Sequence, residues 1–105
     1  MSSPKLIPVY FHYEADSELG EAVSFYESRL VGLGISFTAE VRSSVGFISN
    51  NPDAGSPLGS KLRMVIVKRF PYSVIYRWDE KSIFILAIAH HRRRTGYWKG
   101  RRTAR

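Results

Sequence analysis

The sequence of 105 residues contains no cysteine and no long apolar run. Without cysteine it has neither a disulfide framework nor a cysteine-based zinc site, which fits a reducing compartment. No hydrophobic stretch approaches the roughly 20 residues that a membrane-spanning helix needs. The first residues also lack the basic and apolar regions of a secretory signal peptide. We therefore expect a cytoplasmic protein that makes no membrane contact.

Familiar enzyme motifs are missing as well. We find no internal repeat, no glycine-rich phosphate loop, no GxSxG elbow, no HExxH pair and no placeable pair of catalytic carboxylates. His90 and His91 have only His12 as a further histidine, and no carboxylate lies within a few positions of them. A metal site needs three or four converging ligands. The sequence therefore predicts no metal site and no cofactor, and it gives a general hydrolase no support.

Charge is abundant but unevenly distributed along the chain. Residues 1–59 carry three basic and seven acidic side chains, a net charge of −4, whereas residues 60–105 carry thirteen basic and two acidic ones, a net charge of +11. Such a division favours a polyanionic or acidic partner for the C-terminal half, with solubility alone as the simpler explanation.

The pattern of apolar residues predicts one small α+β domain. A strand over residues 6–13 is followed by a helix capped at Asp16–Ser17 and a second helix over 35–49, then by a loop over 50–60. Strands over 62–68, 72–78 and 82–89 follow with short turns, which implies antiparallel neighbours. The expected fold is an antiparallel sheet of order β-α-α-β-β-β with the helical hairpin on one face. We assign residues 1–98 to this domain and 99–105 to a flexible basic tail.

Specific residues within this order resemble a known group of proteins. Residues 68–77 read KRFPYSVIYR, and residues 85–98 read ILAIAHHRRRTGYW. The FPY strand and the HxR segment ending in YW are similar to those of the RelE/ParE toxin superfamily of type II toxin–antitoxin modules. FYE at residues 25–27 and GLG at 32–34 fit the same pattern. The resemblance covers about residues 6–98, and it rests on the joint order of these motifs.

The resemblance implies a toxin that arrests bacterial growth once its antitoxin is degraded. RelE-like members cut messenger RNA on the ribosome without a metal, whereas ParE-like members inhibit DNA gyrase by binding it. A third possibility is an inactive or repurposed RNA-binding member. Every toxin version implies an acidic, partly disordered antitoxin that folds on binding. We expect that partner, and not this chain, to make any sequence-specific DNA contact.

Metal-free RNA cleavage needs an acid, a base and fixed positive charge at the phosphate. The residues that could supply these functions in a nuclease are His90, His91, Arg92 and Tyr97. The RelE-like pattern is incomplete, however, because Ser73 stands where those nucleases usually carry an arginine and the paired lysines of the preceding strand are not evident. The residues therefore favour ParE-like inhibition, and whether the protein is an enzyme stays open. Adjacent strand residues point to opposite faces, so one histidine is expected to be structural.

A second set of residues could bind a protein target or RNA. Arginine and aromatic residues dominate interface hot spots. Tyr72, Tyr76 and Trp78 are expected to be core residues rather than a stacking platform. We expect the antitoxin to dock across the helical hairpin and a basic face of the sheet that carries Arg63 and Arg77. The candidates for binding a target protein or RNA are Arg63, Arg77, Arg92, Arg93, Arg94 and Trp98.

Overall fold

The computed structural model describes residues 7–101. Two helices lie against one face of a five-stranded sheet whose strand order is β1-β5-β4-β3-β2. The predicted α+β fold with its helical hairpin is confirmed. None of the helices in this range is long and apolar enough to span a membrane. The elements are β1 (Val9–Phe11), α1 (Tyr13–Arg29), α2 (Leu33–Asn50), β2 (Ser56–Leu58), β3 (Leu62–Ile66), β4 (Tyr72–Trp78) and β5 (Ile83–His90).

The sheet is mixed, which corrects the expectation of a wholly antiparallel sheet. Strands β2 to β5 are antiparallel neighbours, but β1 lies parallel to β5, with Val9 opposite Ile83. The two helices provide the long crossover that parallel strands require. The pairing of the first strand with the last cannot be read from local turns. As expected for a strand that follows Pro8, β1 lies at an edge.

The segment predicted as a loop contains a further short strand, β2. It pairs with the start of β3 and carries Pro57. A proline is tolerated there because β2 is the other edge of the sheet and needs no outward hydrogen bond.

Helix α1 begins one turn earlier than the predicted cap at Asp16–Ser17. The side chain of His12 caps the helix, since its Nδ1 accepts a hydrogen bond from the backbone N–H of Glu14 at 3.1 Å. The backbone N–H of Asp16 already donates to the carbonyl oxygen of His12. Acidic residues in the first turn still match the helix dipole. A histidine is not a common cap, so no local pattern marks this start.

The main core fills the space between the helices and the sheet. Its aromatic cluster joins Tyr26, Phe37, Phe70 and Tyr72, with ring centroids 4.9 to 6.2 Å apart. Tyr72 and the two following aromatic residues of β4 pack in this core, as the sequence indicates. Its fully or nearly buried members are Ala15, Ala22, Phe37, Val41, Ile48, Val67, Phe70, Val74, Tyr76, Ile83, Ile85 and Ile88.

A second core lies on the opposite face of the sheet. The chain beyond β5 crosses this face and places Trp98 in it, 7% exposed. Strand β5 is therefore buried on both faces, as its continuous apolar sequence predicts. A bulge inserts Leu86 between the residues that pair with Ile75 and Tyr76. The buried members of this core are Ile75, Leu86, Ala87, Ala89 and Trp98.

Candidate functional site

The candidate residues after β5 belong to one stretch of chain, the C-terminal segment (residues 91–101). The sequence assigned its last part to a flexible tail that begins at residue 99. In the structure the side chain of Arg101 is only 10% exposed and is held by two carboxylates. The folded domain therefore extends past Trp98 to Arg101, and the remaining predicted tail, residues 102–105, lies outside the described residues.

The two neighbouring histidines point to opposite faces of the sheet, and each has a partner within the chain. The ring of His90 meets Tyr72 edge-on at 4.9 Å, and its Nδ1 accepts a hydrogen bond from the backbone N–H of Arg92. Burial, followed by the nearby charges of Arg92 and His91, lowers the pKa of His90. On the other face, Nε2 of His91 lies 2.9 Å from Oγ of Ser73. The serine that replaces the expected nuclease arginine thus anchors the start of the C-terminal segment.

Tyr97 is also engaged within the chain. Its hydroxyl donates to Oε2 of Glu18 at 2.7 Å, and the guanidinium of Arg93 lies 3.9 Å from its ring centroid. Burial and the hydrogen bond to this carboxylate raise the pKa of Tyr97 well above its usual value. The phenol is therefore neutral at physiological pH, and its proton is engaged in the hydrogen bond to Glu18.

Arg92, Arg93 and Arg94 lie together on an exposed turn, which we call the arginine turn. Its backbone is fixed, because the N–H of Arg93 donates to the carbonyl oxygen of His90 and the carbonyl oxygen of Arg94 accepts from Tyr97. Trp98, which the sequence grouped with these residues as a contact candidate, is a buried core residue here. Only 7% of Trp98 is exposed, because its ring fills the second core, so little of it can meet a target.

Arg63 and Arg77 do not share one basic face. Arg63 pairs with Tyr76 of the main core, whereas Arg77 pairs with Leu62 of the second core, so strand alternation puts the arginines on opposite faces. Nη1 of Arg63 donates to the carbonyl oxygen of Gly55 at 2.8 Å. Both residues line a cleft of about 320 Å³ beside the start of β3 and the end of β4. This corrects the expectation of a single basic sheet face, because Arg63 and Arg77 lie on opposite faces and share only this cleft.

Two charged residues that the sequence did not single out organise this region. Arg101 donates to both carboxylate oxygens of Glu18, at 2.8 and 2.9 Å, and to the carbonyl oxygen of Leu86. Oε1 of Glu18 also accepts the backbone N–H of Ile88. Strand β1 ends at Phe11, so the ion pair satisfies backbone groups of β5 that β1 does not reach.

The environment of Glu18 stabilises its charged form. Burial alone would raise the pKa of this carboxyl, but hydrogen bonds from Arg101, Tyr97 and the backbone N–H of Ile88 outweigh it and lower the pKa. The same pair raises the pKa of Arg101. No local pattern links the partners, which are 83 positions apart. One of three arginines in a basic tail and an acid in the predicted first helical turn are the only signals the sequence offers.

A further depression borders the helices. This depression, of about 580 Å³, lies between α1 and α2 and is the hairpin groove, lined by Val23, Glu27, Gly34, Ile35, Thr38, Ala39 and Arg42. In the described part of the chain, no group of three or more histidine, aspartate or glutamate side chains is placed to hold a metal ion.

Comparison with known proteins relates this arrangement to a family. Residues 9–95 match the family model described as ParE toxin of type II toxin-antitoxin system, parDE. The chain belongs to the ParE toxin family. The match spans Glu18 and the arginine turn of this ParE-family toxin, and it ends before Tyr97 and Arg101.

A solved structure has the same fold as this ParE-family toxin. It is titled "Chromosomal ParDE TA system from P. aeruginosa" and superposes with a TM-score of 0.68. The two sequences are 22% identical, and the match covers 81% of this chain and 96% of that chain. No curated protein matches the sequence. The family makes the chain a type II toxin with an antitoxin partner.

Proposed function

We propose that this ParE-family toxin arrests growth by binding DNA gyrase, and that Arg92, Arg93 and Arg94 are its main contacts. The observation that carries the proposal is the arginine turn, with three exposed guanidinium groups on a hydrogen-bonded backbone. Arginine is favoured at interface hot spots because its planar group makes several directed hydrogen bonds. A fixed backbone lowers the entropy cost of presenting these groups to a partner.

The other candidate residues support binding over RNA cleavage. A nuclease needs groups that can give and take a proton at the reacting ribose and phosphate. Tyr97 donates to Glu18 and has a raised pKa, and Nδ1 of His90 accepts the N–H of Arg92. His91 contacts Ser73. These contacts favour structural roles for all three residues.

The antitoxin needs a surface other than the arginine turn if antitoxin binding and target binding are to be tuned separately. The hairpin groove offers one, because Val23, Ile35 and Ala39 give it an apolar lining beside the charged Glu27 and Arg42. Ile35 is 74% exposed in the toxin alone. An amphipathic antitoxin segment would cover this apolar surface. We place the complex and its target in the cytoplasm, in line with the absence of cysteine.

The test is induction of the toxin in bacteria with parallel measurement of growth, messenger integrity and gyrase–DNA breaks. We expect arrest, intact messenger and trapped breaks. The R92A/R94A variant should raise the concentration that half-inhibits purified gyrase about tenfold or more, the effect of losing one or two hot-spot contacts. The matched control R29A/K81A removes the same charge from exposed sites away from the turn and should inhibit like the parent.

Three results would reject the proposal in whole or in part. Messenger cleavage with normal gyrase activity would make the chain a RelE-like nuclease and return the histidines to catalysis. Absence of growth arrest, with the folded protein present, would make it an inactive or repurposed member. Equal inhibition by the R92A/R94A variant and the parent would place the gyrase contact elsewhere on the chain.

A further inference from the structure

The arginine turn is held from two sides, and the second side belongs to helix α1. At its start, His91 donates its backbone N–H to the carbonyl oxygen of Pro71 and contacts Ser73 through its ring. Beyond the turn, Trp98 fills the second core. Past this tryptophan, Arg101 reaches the helix. The turn is therefore a loop closed between strand β5 and helix α1.

Glu18 is the residue of α1 to which both Tyr97 and Arg101 bond. It accepts hydrogen bonds from Nη1 and Nη2 of Arg101 and from the hydroxyl of Tyr97 at 2.7 to 2.9 Å. The side chains of Glu18 and Arg101 are 13% and 10% exposed. A pair this far from solvent is weakly screened by salt and needs its partners to offset the loss of hydration. Loss of either charge leaves the other poorly compensated.

Tyr97 transmits this anchoring to the arginine turn. Its backbone N–H donates to the carbonyl oxygen of Arg94, and its ring lies 3.9 Å from the guanidinium carbon of Arg93. The hydroxyl of Tyr97 donates to Glu18 and so connects the tyrosine to helix α1. Tyr97 therefore connects the carboxylate of Glu18 with two of the three arginines of the turn.

We infer that Glu18 is a positioning residue for gyrase binding: it contacts only this chain, yet it holds the arginine turn in the geometry that the target recognises. The inference rests on the proposed function. A turn fixed before binding loses less conformational entropy in the complex than a loose one. Neutralising Glu18 should therefore weaken gyrase binding although its carboxylate lies beneath the surface.

A purely structural Glu18 would also reduce activity, so the test must separate the two roles. The E18Q variant keeps an amide oxygen that can accept the N–H of Ile88 and removes the charge that Arg101 needs. The measurements are the affinity of purified gyrase for the full-length toxin and the rate of trypsin cleavage after Arg92, Arg93 or Arg94. Unfolding in urea, followed by circular dichroism, reports the folded fraction.

The deciding experiment is a double-mutant cycle on gyrase affinity. E18Q should weaken binding about tenfold in the parent and less than about twofold in the R92A/R94A variant, because residues that act through a shared element are not additive. Trypsin should cleave the arginine turn several times faster in E18Q than in the parent. The matched control is E40Q, which removes the exposed ion pair of Glu40 with Arg69 and should leave both quantities unchanged.

Each outcome of these measurements either supports or overturns the inference. Equal losses from E18Q in both backgrounds would overturn the inference in favour of a general structural role, as would unchanged affinity in E18Q while R92A/R94A loses affinity. Unchanged affinity in R92A/R94A would instead overturn the proposed contact, and this inference with it. If E18Q does not fold, Y97F replaces it in the cycle, because it removes the hydroxyl bond to Glu18 and keeps the ion pair of Glu18 with Arg101.

Discussion

Gly34 of helix α2 faces the backbone carbonyl oxygen of Val23 in helix α1. A Cβ built on Gly34 would lie 2.7 Å from that oxygen and 3.1 Å from Cβ of Glu27. The carboxylate of Glu27 also accepts the backbone N–H groups of Gly32 and Gly34, both at 2.9 Å. The helices therefore approach each other at a point where only glycine fits, and this contact fixes the angle of the hairpin.

Replacing Gly34 with alanine should push the two helices apart. We expect G34A to lower the free energy of unfolding by roughly 1–3 kcal/mol, the usual cost of overpacking. The control is G46A on the same helix, where a Cβ meets nothing within 4 Å. There alanine should raise the free energy of unfolding by about 0.5–1 kcal/mol through helix propensity. Urea unfolding measures both, and equal effects of the two variants would contradict the packing explanation.

The hydroxyl of Tyr76 ties the loop before β2 to the sheet. It donates to the carbonyl oxygen of Pro52 at 2.7 Å and accepts the buried N–H of Gly55 at 3.1 Å. Y76F should lower the free energy of unfolding by roughly 1–3 kcal/mol, because it leaves that N–H without a partner. The control Y72F removes a hydroxyl from the same strand and should change stability little. A comparable loss in both variants, measured in urea, would mean that the hydrogen bonds of the Tyr76 hydroxyl to Pro52 and Gly55 are not the cause.

The pH dependence of stability should report the charge of Glu18. The pKa of its carboxyl is lower in the folded protein than its ordinary value of 4.5, chiefly because hydrogen bonds from Arg101 and Tyr97 outweigh burial. A group with a lowered folded pKa stabilises the protein above its unfolded pKa, and that contribution disappears as the pH falls through the folded pKa. The parent should therefore lose stability below about pH 4.5.

The variant E18Q isolates this contribution. The difference in urea midpoint between parent and E18Q should be largest near neutral pH and should shrink as the pH falls below about 4.5. Asp79 and His90 also have lowered pKa values. Both proteins contain these residues, so their contributions to stability cancel in the difference. A difference that stays constant between pH 7 and pH 3 would mean that the charge of Glu18 contributes no stability.

Local patterns in the sequence predict most of the fold. Phe70–Pro71 and Asp79–Glu80 mark the turns of the β3–β4–β5 meander, and strand β4 has the predicted bounds. The break between the two helices falls close to its predicted place, since α2 begins at Leu33, before the predicted start at residue 35, with Gly32 as its N-cap. These features are local, because turns and helix ends depend on residues a few positions apart.

The remaining features depend on contacts between distant residues. The parallel pairing of β1 with β5 arises only when distant parts of the chain meet. The same holds for Glu18 and Arg101. The site candidates after β5 are neighbours in the sequence, and their positions alone do not show which are buried. Only the packing of the second core distinguishes the buried Trp98 from the exposed arginine turn.

Gyrase binding through the arginine turn should depend on salt. Exposed charges are screened within about 8–10 Å at physiological ionic strength. Raising the salt concentration should therefore weaken the parent's binding to gyrase more steeply than that of R92A/R94A, mostly through a slower association rate. Surface-binding kinetics at three salt concentrations provide the measurement. Parallel salt slopes for the two proteins would remove the arginines from the encounter with gyrase.

Ser73 and His91 allow a separate test of whether the histidine is an anchor or a catalyst. Their side chains meet at 2.9 Å, and Ser73 is 4% exposed, so the serine has no direct access to a substrate. If the contact only anchors the C-terminal segment, S73A and H91A should weaken gyrase inhibition by the same few-fold amount. The double variant should then lose no more than either single one, because both remove the same bond.

Catalysis by His91 predicts a different pattern for these variants. A lost acid or base costs about 10²–10⁴-fold in rate, so H91A would abolish messenger cleavage while S73A would retain most of it. Gyrase inhibition and messenger cleavage should be measured on the same protein preparations, with unfolding in urea as the check on folding. Because the serine and the histidine share one bond, equal effects identify an anchor, and an effect confined to H91A identifies a catalytic group.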